Sequence, residues 1–173
     1  MKIYFLFFLI IPVNLFSQNC QLKDERDRYN QGIRLTTGFK SIGVGSDKFL
    51  ISISADKKEV DLFFVLENSG FCFNEFSRAT VKYENKQSGS FKNGGTTNCK
   101  GFFHFIFPNQ ENLNTNLINL GLKKISSIHF TGNDNVKKII TIQPQDNEII
   151  LNAVNCLLIE LEKLRLDTWK PTR

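Results

Sequence analysis

Alternation of apolar and polar residues is the strongest pattern in this chain. In "KFLISISAD", Phe49, Ile51 and Ile53 alternate with Ser52 and Ser54. A period of two residues is typical of a β-strand with one buried face. The segment therefore predicts a strand that borders an apolar core.

The same alternation predicts further strands along the chain. They are "IRLTTGF" (33–39), "KEVDLFFVLEN" (58–68), "SRATVKYEN" (77–85), "GFFHFIFP" (101–108), "ISSIHF" (125–130) and "VKKIITI" (136–142). The charged segment "KDERDR" lacks this periodicity and predicts a solvated lead-in.

Two short polar segments predict hairpins. Residues 56–58 separate the strand at Phe49 from the strand that follows it, which is typical of a tight hairpin. Asn93-Gly94-Gly95 precedes the phenylalanine-rich strand, and glycine adopts a positive φ without steric cost. Because that second strand is apolar on both faces, we expect it in the centre of a sheet.

Two segments have helical periodicity instead. In "NQENLNTNLINLGL", Leu113, Leu117 and Leu120 share one face, with Asn109 expected as the N-cap and Gly121 as the glycine after the last turn. The C-terminal segment "DNEIILNAVNCLLIELEKLR" has a longer apolar stripe: Ile150, Val154, Leu157, Leu158, Leu161 and Leu164. The predicted fold class is α+β, with a mainly antiparallel sheet or sandwich of about seven or eight strands, one short helix, and a C-terminal helix packed on the sheet.

The N-terminus has the pattern of a signal peptide. Lys2 precedes an apolar run that ends at Phe16, which is shorter than the roughly 20 residues of a membrane-spanning helix. Ser17 is the small residue expected at the cleavage site, so the predicted domains are a signal peptide at 1–17 and one β-rich domain at 18–173. Asn19 precedes Cys20 where a lipoprotein signal requires a small residue, which argues against a lipid anchor at Cys20. We expect a soluble secreted or periplasmic protein with no membrane span after signal cleavage.

The net positive charge of the chain is compatible with weak binding of anionic polymers. The chain has 22 Lys+Arg and 17 Asp+Glu, a net charge of +5, which falls to about +4 without Lys2. This excess is too small for a dedicated nucleic-acid-binding protein, so we expect no specific nucleic-acid partner. Weak binding of an anionic glycan or nucleic acid is one hypothesis, with these candidate residues: Lys82, Lys86, Lys92, Lys123, Lys124, Lys137 and Lys138.

The four cysteines favour disulfides. All lie beyond the predicted signal, and an even number in an exported chain is typical of paired thiols. Of three possible connectivities, we favour Cys72 with Cys99 and Cys20 with Cys156. No CxxC pair is present, which disfavours a zinc site.

No catalytic motif emerges from the sequence, and we assign no catalytic, cofactor-binding or metal-binding residue. His104 and His129 lie in the middle of predicted strands and would face each other if those strands paired. With an acidic residue they could serve a hydrolase-like enzyme. The leading hypothesis is a non-catalytic exported module that binds a protein or another envelope component.

The order of these motifs resembles a group of small secreted proteins from Bacteroidota. The resemblance rests on "CQLKDERDRYNQGIRLTT", "NCKGFFHFIFP", "LGLKKISSIHFTGNDNVKKIITI" and "NAVNCLLIEL". Members of that group follow a signal ending in Phe-Ser-Gln or Phe-Ala-Gln and finish with a cysteine-bearing helix. This chain departs from the group at residues 29–31 and 128–130. The resemblance implies an exported address and a β-rich fold, and no activity is assigned to the group.

Overall fold

Two antiparallel sheets and two helices form the fold. The computed structural model describes residues 22–26, 32–67 and 70–165. The predicted signal peptide and Cys20 lie outside the described residues. Ten strands occur in the described part, more than the seven or eight predicted, and the α+β class is confirmed.

The elements follow in chain order. The strands are β1 (Lys23–Arg26), β2 (Ile33–Thr36), β3 (Lys40–Ile42), β4 (Phe49–Ala55), β5 (Glu59–Val65), β6 (Arg78–Tyr83), β7 (Ser88–Lys92), β8 (Phe102–Pro108), β9 (Ile125–Thr131) and β10 (Lys137–Thr141). The helices are α1 (Thr115–Leu122), between β8 and β9, and α2 (Pro144–Arg165), after β10.

The first sheet has the strand order β1-β2-β4-β5-β8, with β3 also paired to β4. The predicted hairpin of β4 and β5 is confirmed. Its turn is held by Asp56, whose carboxylate accepts hydrogen bonds from the N–H groups of Lys58 and Glu59. The charged segment "KDERDR" was predicted to be a solvated lead-in without regular structure. This prediction is wrong for residues 23–26, which pair with β2 as an edge strand.

The second sheet has the strand order β10-β9-β6-β7. A turn that contains Asn135 at a φ of 63° joins β9 to β10. The turn from β6 to β7 places Lys86 at a φ of 66°. Both turns therefore use backbone conformations in the left-handed region, which asparagine adopts more readily than lysine.

Aromatic side chains join the inner faces of the two sheets. Phe103 of β8 lies 5.3 Å from Phe130 of β9, measured between ring centroids. Phe105 stacks on Phe91 of β7 at 4.2 Å. Such pairs add about 0.5–1.5 kcal/mol beyond the burial of their area. Of the 17 phenylalanines, 13 lie beyond the predicted signal peptide, and nine of these 13 lie on strands. The ring pairs between the sheets hold the sandwich together.

The C-terminal helix completes the core. α2 contacts β2 and β4, and five residues of its predicted stripe are buried: Ile150, Val154, Leu157, Leu161 and Leu164. The side-chain amide of Asn147 binds the backbone N–H and carbonyl of Ile125, and the carboxylate of Asp146 accepts the Gly43 N–H. The start of α2 is thereby fixed to both sheets.

The predicted caps of the short helix are wrong. Asn114 is its N-cap, and the Asn114 side chain accepts the N–H of Asn116. Asn109 instead donates a side-chain hydrogen bond to the carbonyl of Asp56, beside the β4–β5 turn. Gly121 lies inside the helix, where a Cβ would come within 3.1 Å of Val154 on α2. The glycine therefore permits close contact between the two helices.

The predicted hairpin at Asn93-Gly94-Gly95 is also wrong. β7 belongs to the second sheet and β8 to the first, so this segment carries the chain from one sheet to the other. β8 is the last strand in the order of its sheet, not a central one. The N–H of Gly94 donates to the carbonyl of His104, so the crossing segment covers part of the β8 edge.

One half of the predicted cysteine pairing is confirmed. Cys72 and Cys99 form a disulfide across 27 residues, next to an antiparallel bridge between Phe73 and Asn98. Cys156 is also disulfide-bonded, and its predicted partner Cys20 lies outside the described residues. The described helices include none that is long and apolar enough to cross a membrane.

Candidate functional site

The structure separates the two histidines. His104 lies on β8 in the first sheet and His129 on β9 in the second, so their strands do not pair. Their neighbours Phe103 and Phe130 meet between the sheets. Because side chains alternate across a strand, the two histidines point away from the core on opposite sides of the sandwich. The hypothesis that His104 and His129 face each other in one site is therefore wrong.

His104 has a different partner, which the sequence alone does not indicate. Its Nδ1 lies 3.0 and 3.1 Å from the two carboxylate oxygens of Asp61 on β5. The ring stacks on Phe63 with centroids 4.4 Å apart, and its backbone N–H donates to Asn93. A Cβ on Gly95 would lie 2.6 Å from the ring. The imidazole is thus held in one orientation.

Arg34 extends this cluster across the sheet. Its guanidinium donates a 2.7 Å hydrogen bond to the Ser54 hydroxyl and lies 3.9 Å from the Asp61 carboxylate. The Asp61 side chain is only 11% exposed, and Ser54 is buried. A buried carboxylate needs such partners, because leaving it unpaired would cost several kcal/mol.

The His104–Asp61 pair supplies a single oriented base. A carboxylate at Nδ1 leaves Nε2 as the nitrogen that could accept a proton. General-base chemistry also requires a group that binds and polarises a substrate. Within the described residues, no group of three or more His, Cys, Asp or Glu side chains could hold a metal ion. The contacts of Arg34, Ser54, Asp61 and His104 join four strands of the first sheet, β2, β4, β5 and β8.

The outward side of the second sheet is a basic surface. The pairing registers align twelve side chains there in three rows of four, and we call these twelve residues the basic face. They are Lys137, Thr131, Arg78 and Lys92; Ile139, His129, Thr80 and Ser90; and Thr141, Ser127, Lys82 and Ser88. None of the twelve is buried, and none is acidic.

Three of the predicted lysines lie on the basic face: Lys82, Lys92 and Lys137. Arg78 joins them and was missed, although it lies at an outward position of a predicted strand. The remaining candidates lie elsewhere. Lys138 donates to the carbonyl of Ser46, Lys124 lies 3.7 Å from Glu148, Lys123 donates to Gln87, and Lys86 is in the β6–β7 turn.

His129 lies in the middle row of the basic face. Its Nε2 is 2.9 Å from the hydroxyl of Ser127. Burial, and to a smaller degree the charges of Lys82 and Lys137, lower the pKa of His129 below its ordinary value. The two lysines are therefore close enough for their positive field to act on the imidazole.

A groove of about 430 Å³ adjoins one edge of the basic face, at the β6–β7 turn. It is lined by Lys82, Tyr83, Glu84, Lys86, Gln87, Ser88 and Ser126. Lys82 and Ser88 belong to both the groove and the basic face. Within the described part, the buried hydroxyl of Tyr83 has no hydrogen-bond partner, and burial raises the pKa of Tyr83 to about 12.

Comparison with known proteins gives no relative. No family model, curated protein or solved structure matches this chain.

Proposed function

We propose that this chain is an exported binding module of the cell envelope, and that its basic face holds an anionic polymer. The observation that carries the proposal is the composition of this face. Four cationic side chains and no carboxylate occupy its twelve positions. A surface of one charge sign attracts a ligand of the opposite sign and orients it during association.

The distribution of charge supports this choice of surface. The net charge of the chain is only +5, so a uniform mixture would place acidic residues beside the basic ones. On the first sheet this mixing occurs, because Arg34 lies against Asp61. The cations of the second sheet are therefore concentrated on one face.

The disulfide supports the exported address. Paired cysteines persist in oxidising compartments such as the periplasm or the cell exterior, where anionic envelope polymers are found. Cys72 and Cys99 are bonded in this structure.

A charge-matched pair of variants tests the proposal. In the face variant, Arg78, Lys82, Lys92 and Lys137 become glutamine. In the control variant, four exposed lysines away from this face become glutamine instead: Lys23, Lys40, Lys58 and Lys100. Both variants lose four positive charges.

The measurement is the dissociation constant for heparin, a sulfated glycan, at several salt concentrations. We expect the face variant to bind about tenfold or more weakly and to show a shallower dependence on salt. The control variant should stay within about twofold of the original chain. Equal losses in the two variants would show that only net charge matters, and the proposal would then be wrong.

A further inference from the structure

We infer that the polymer on the basic face is an acidic polysaccharide, and that one of its sugar units occupies the groove at the β6–β7 turn. This inference rests on the proposed function. It adds the chemical class of the ligand and the place where one unit is recognised.

The distances between the cationic side chains of the basic face suit a polymer whose negative charges are widely spaced. Neighbouring strands are about 4.8 Å apart, so two strand steps separate the backbones of Lys137 and Arg78 by about 10 Å. Arg78 and Lys82 lie four residues apart on β6, about 13 Å along the strand. Arg78 and Lys92 are closer, one strand step or about 4.8 Å apart. A nucleic-acid strand in a duplex carries one charge per 3.4 Å, more densely than even this pair. A polysaccharide with one acidic group per one or two sugars matches the spacing better.

The neutral positions of the face favour sugars as well. Hydroxyl side chains occupy six of the twelve positions, between and beside the cations: Thr80, Ser88, Ser90, Ser127, Thr131 and Thr141. Hydroxyls both donate and accept hydrogen bonds, as sugar hydroxyls do. Apart from the His129 imidazole the face has no aromatic ring, whereas proteins that bind single-stranded nucleic acid stack successive bases on several aromatic side chains.

The groove has the mixed polarity expected for a charged sugar. Lys82 and Lys86 offer two cations for a carboxylate, and Gln87 offers an amide. Glu84 accepts hydrogen bonds only, so it suits a ligand with hydroxyl groups and repels one that presents only phosphates. A volume of about 430 Å³ lies within the usual range for small-ligand sites, about 300–1,000 Å³.

Glu84→Gln in the full chain tests the inference, because the two ligand classes predict opposite effects. The probes are polygalacturonate, which carries carboxylates and hydroxyls, and a thymidine oligonucleotide of similar total charge. Binding of each probe is measured by calorimetry at fixed salt. The matched control is Glu75→Gln, which removes an exposed carboxylate outside the groove.

We expect the original chain to bind polygalacturonate at least about tenfold more tightly than the oligonucleotide. Glu84→Gln should weaken polygalacturonate binding and leave oligonucleotide binding unchanged or stronger, while Glu75→Gln changes neither. Tighter binding of both probes by Glu84→Gln, or equal affinity of the original chain for both, would overturn the polysaccharide assignment and leave the basic face as a general anion site. If neither probe binds, this inference is wrong, and heparin binding by the same chain decides whether the proposed function stands.

Discussion

One residue, His129, can change the charge of the whole basic face. Its imidazole lies beside Lys82 and Arg78 of β6 and Lys137 of β10, with Lys92 one strand further away on β7. Burial, and then the charges of Lys82 and Lys137, lower its pKa. The imidazole therefore gains its proton at a lower pH than an ordinary histidine does. A bound polyanion would favour the protonated form and raise this pKa.

We predict that affinity for heparin rises as the pH falls from about 7.5 to about 5, because protonated His129 adds a fifth cation. His129→Gln should remove most of this rise, whereas His104→Gln, on the opposite side of the sandwich, should keep it. Titration of heparin binding against pH for the three chains is the measurement. A pH response that survives in His129→Gln would assign the rise to another group.

The lowered pKa of His129 also affects the stability of the free protein, and acid acts on this stability in the opposite direction to its effect on heparin affinity. Since the folded state binds the His129 proton less readily than the unfolded state, its contribution to stability is present above the ordinary histidine pKa and is lost as the pH falls below it. Acid should therefore weaken the free protein and strengthen its complex with the polyanion.

The partner of Asp61 does not follow from the sequence. Asp61 interrupts an apolar strand face, which marks it as unusual, yet its partner His104 is 43 positions away. Alternation predicts which way a side chain points and contains no information about which strand lies beside it. The cluster of Arg34, Asp61 and His104 could therefore be found only from the strand order.

Strands are easier to predict from this sequence than the strands with which they pair. The β4–β5 hairpin was predicted correctly because its turn is short and the paired strands are neighbours in sequence. The Asn93-Gly94-Gly95 segment has the composition of a turn but serves as a crossing between sheets. A glycine pair permits either geometry, and contacts distant in sequence decide between them. The helix stripe at Ile150 and Val154 was correct because a single buried face is enough to produce it.

Gly121→Ala tests the contact between the helices. Alanine favours an isolated helix by about 1 kcal/mol over glycine. Here the new Cβ would lie 2.7 Å from Oδ1 of Asn155 and 3.1 Å from Val154, so packing should outweigh propensity. We expect a net loss of about 1–3 kcal/mol in the free energy of unfolding, measured by urea denaturation.

The double variant Gly121→Ala with Asn155→Ala provides the control. Removing the Asn155 amide relieves the closest contact, so part of the lost stability should return. If Gly121→Ala alone stabilises the protein, the two helices are not in close contact at this position.

For the whole molecule, the chain must pass repeatedly between two sheets. It leaves the first sheet after β5, enters the second at β6, and returns from β7 to β8. The Cys72–Cys99 disulfide joins these two crossing segments, beside the bridge of Phe73 and Asn98. The aromatic pairs between the sheets hold the same region from within. The disulfide and the aromatic core should therefore stabilise the sandwich together.

We predict that replacing Cys72 and Cys99 together by alanine lowers the free energy of unfolding by about 3–4 kcal/mol, because the unfolded chain loses a closed loop of this length. The β-sheet circular dichroism at low temperature should remain, since the aromatic core still joins the sheets. Denaturant unfolding of the double variant and of the original chain gives the difference directly. If the double variant lacks the β-sheet circular dichroism even without denaturant, the aromatic core alone does not hold together the two segments that cross between the sheets. An unchanged unfolding midpoint would show that the bridge of Phe73 and Asn98 and the ring contacts suffice without the disulfide.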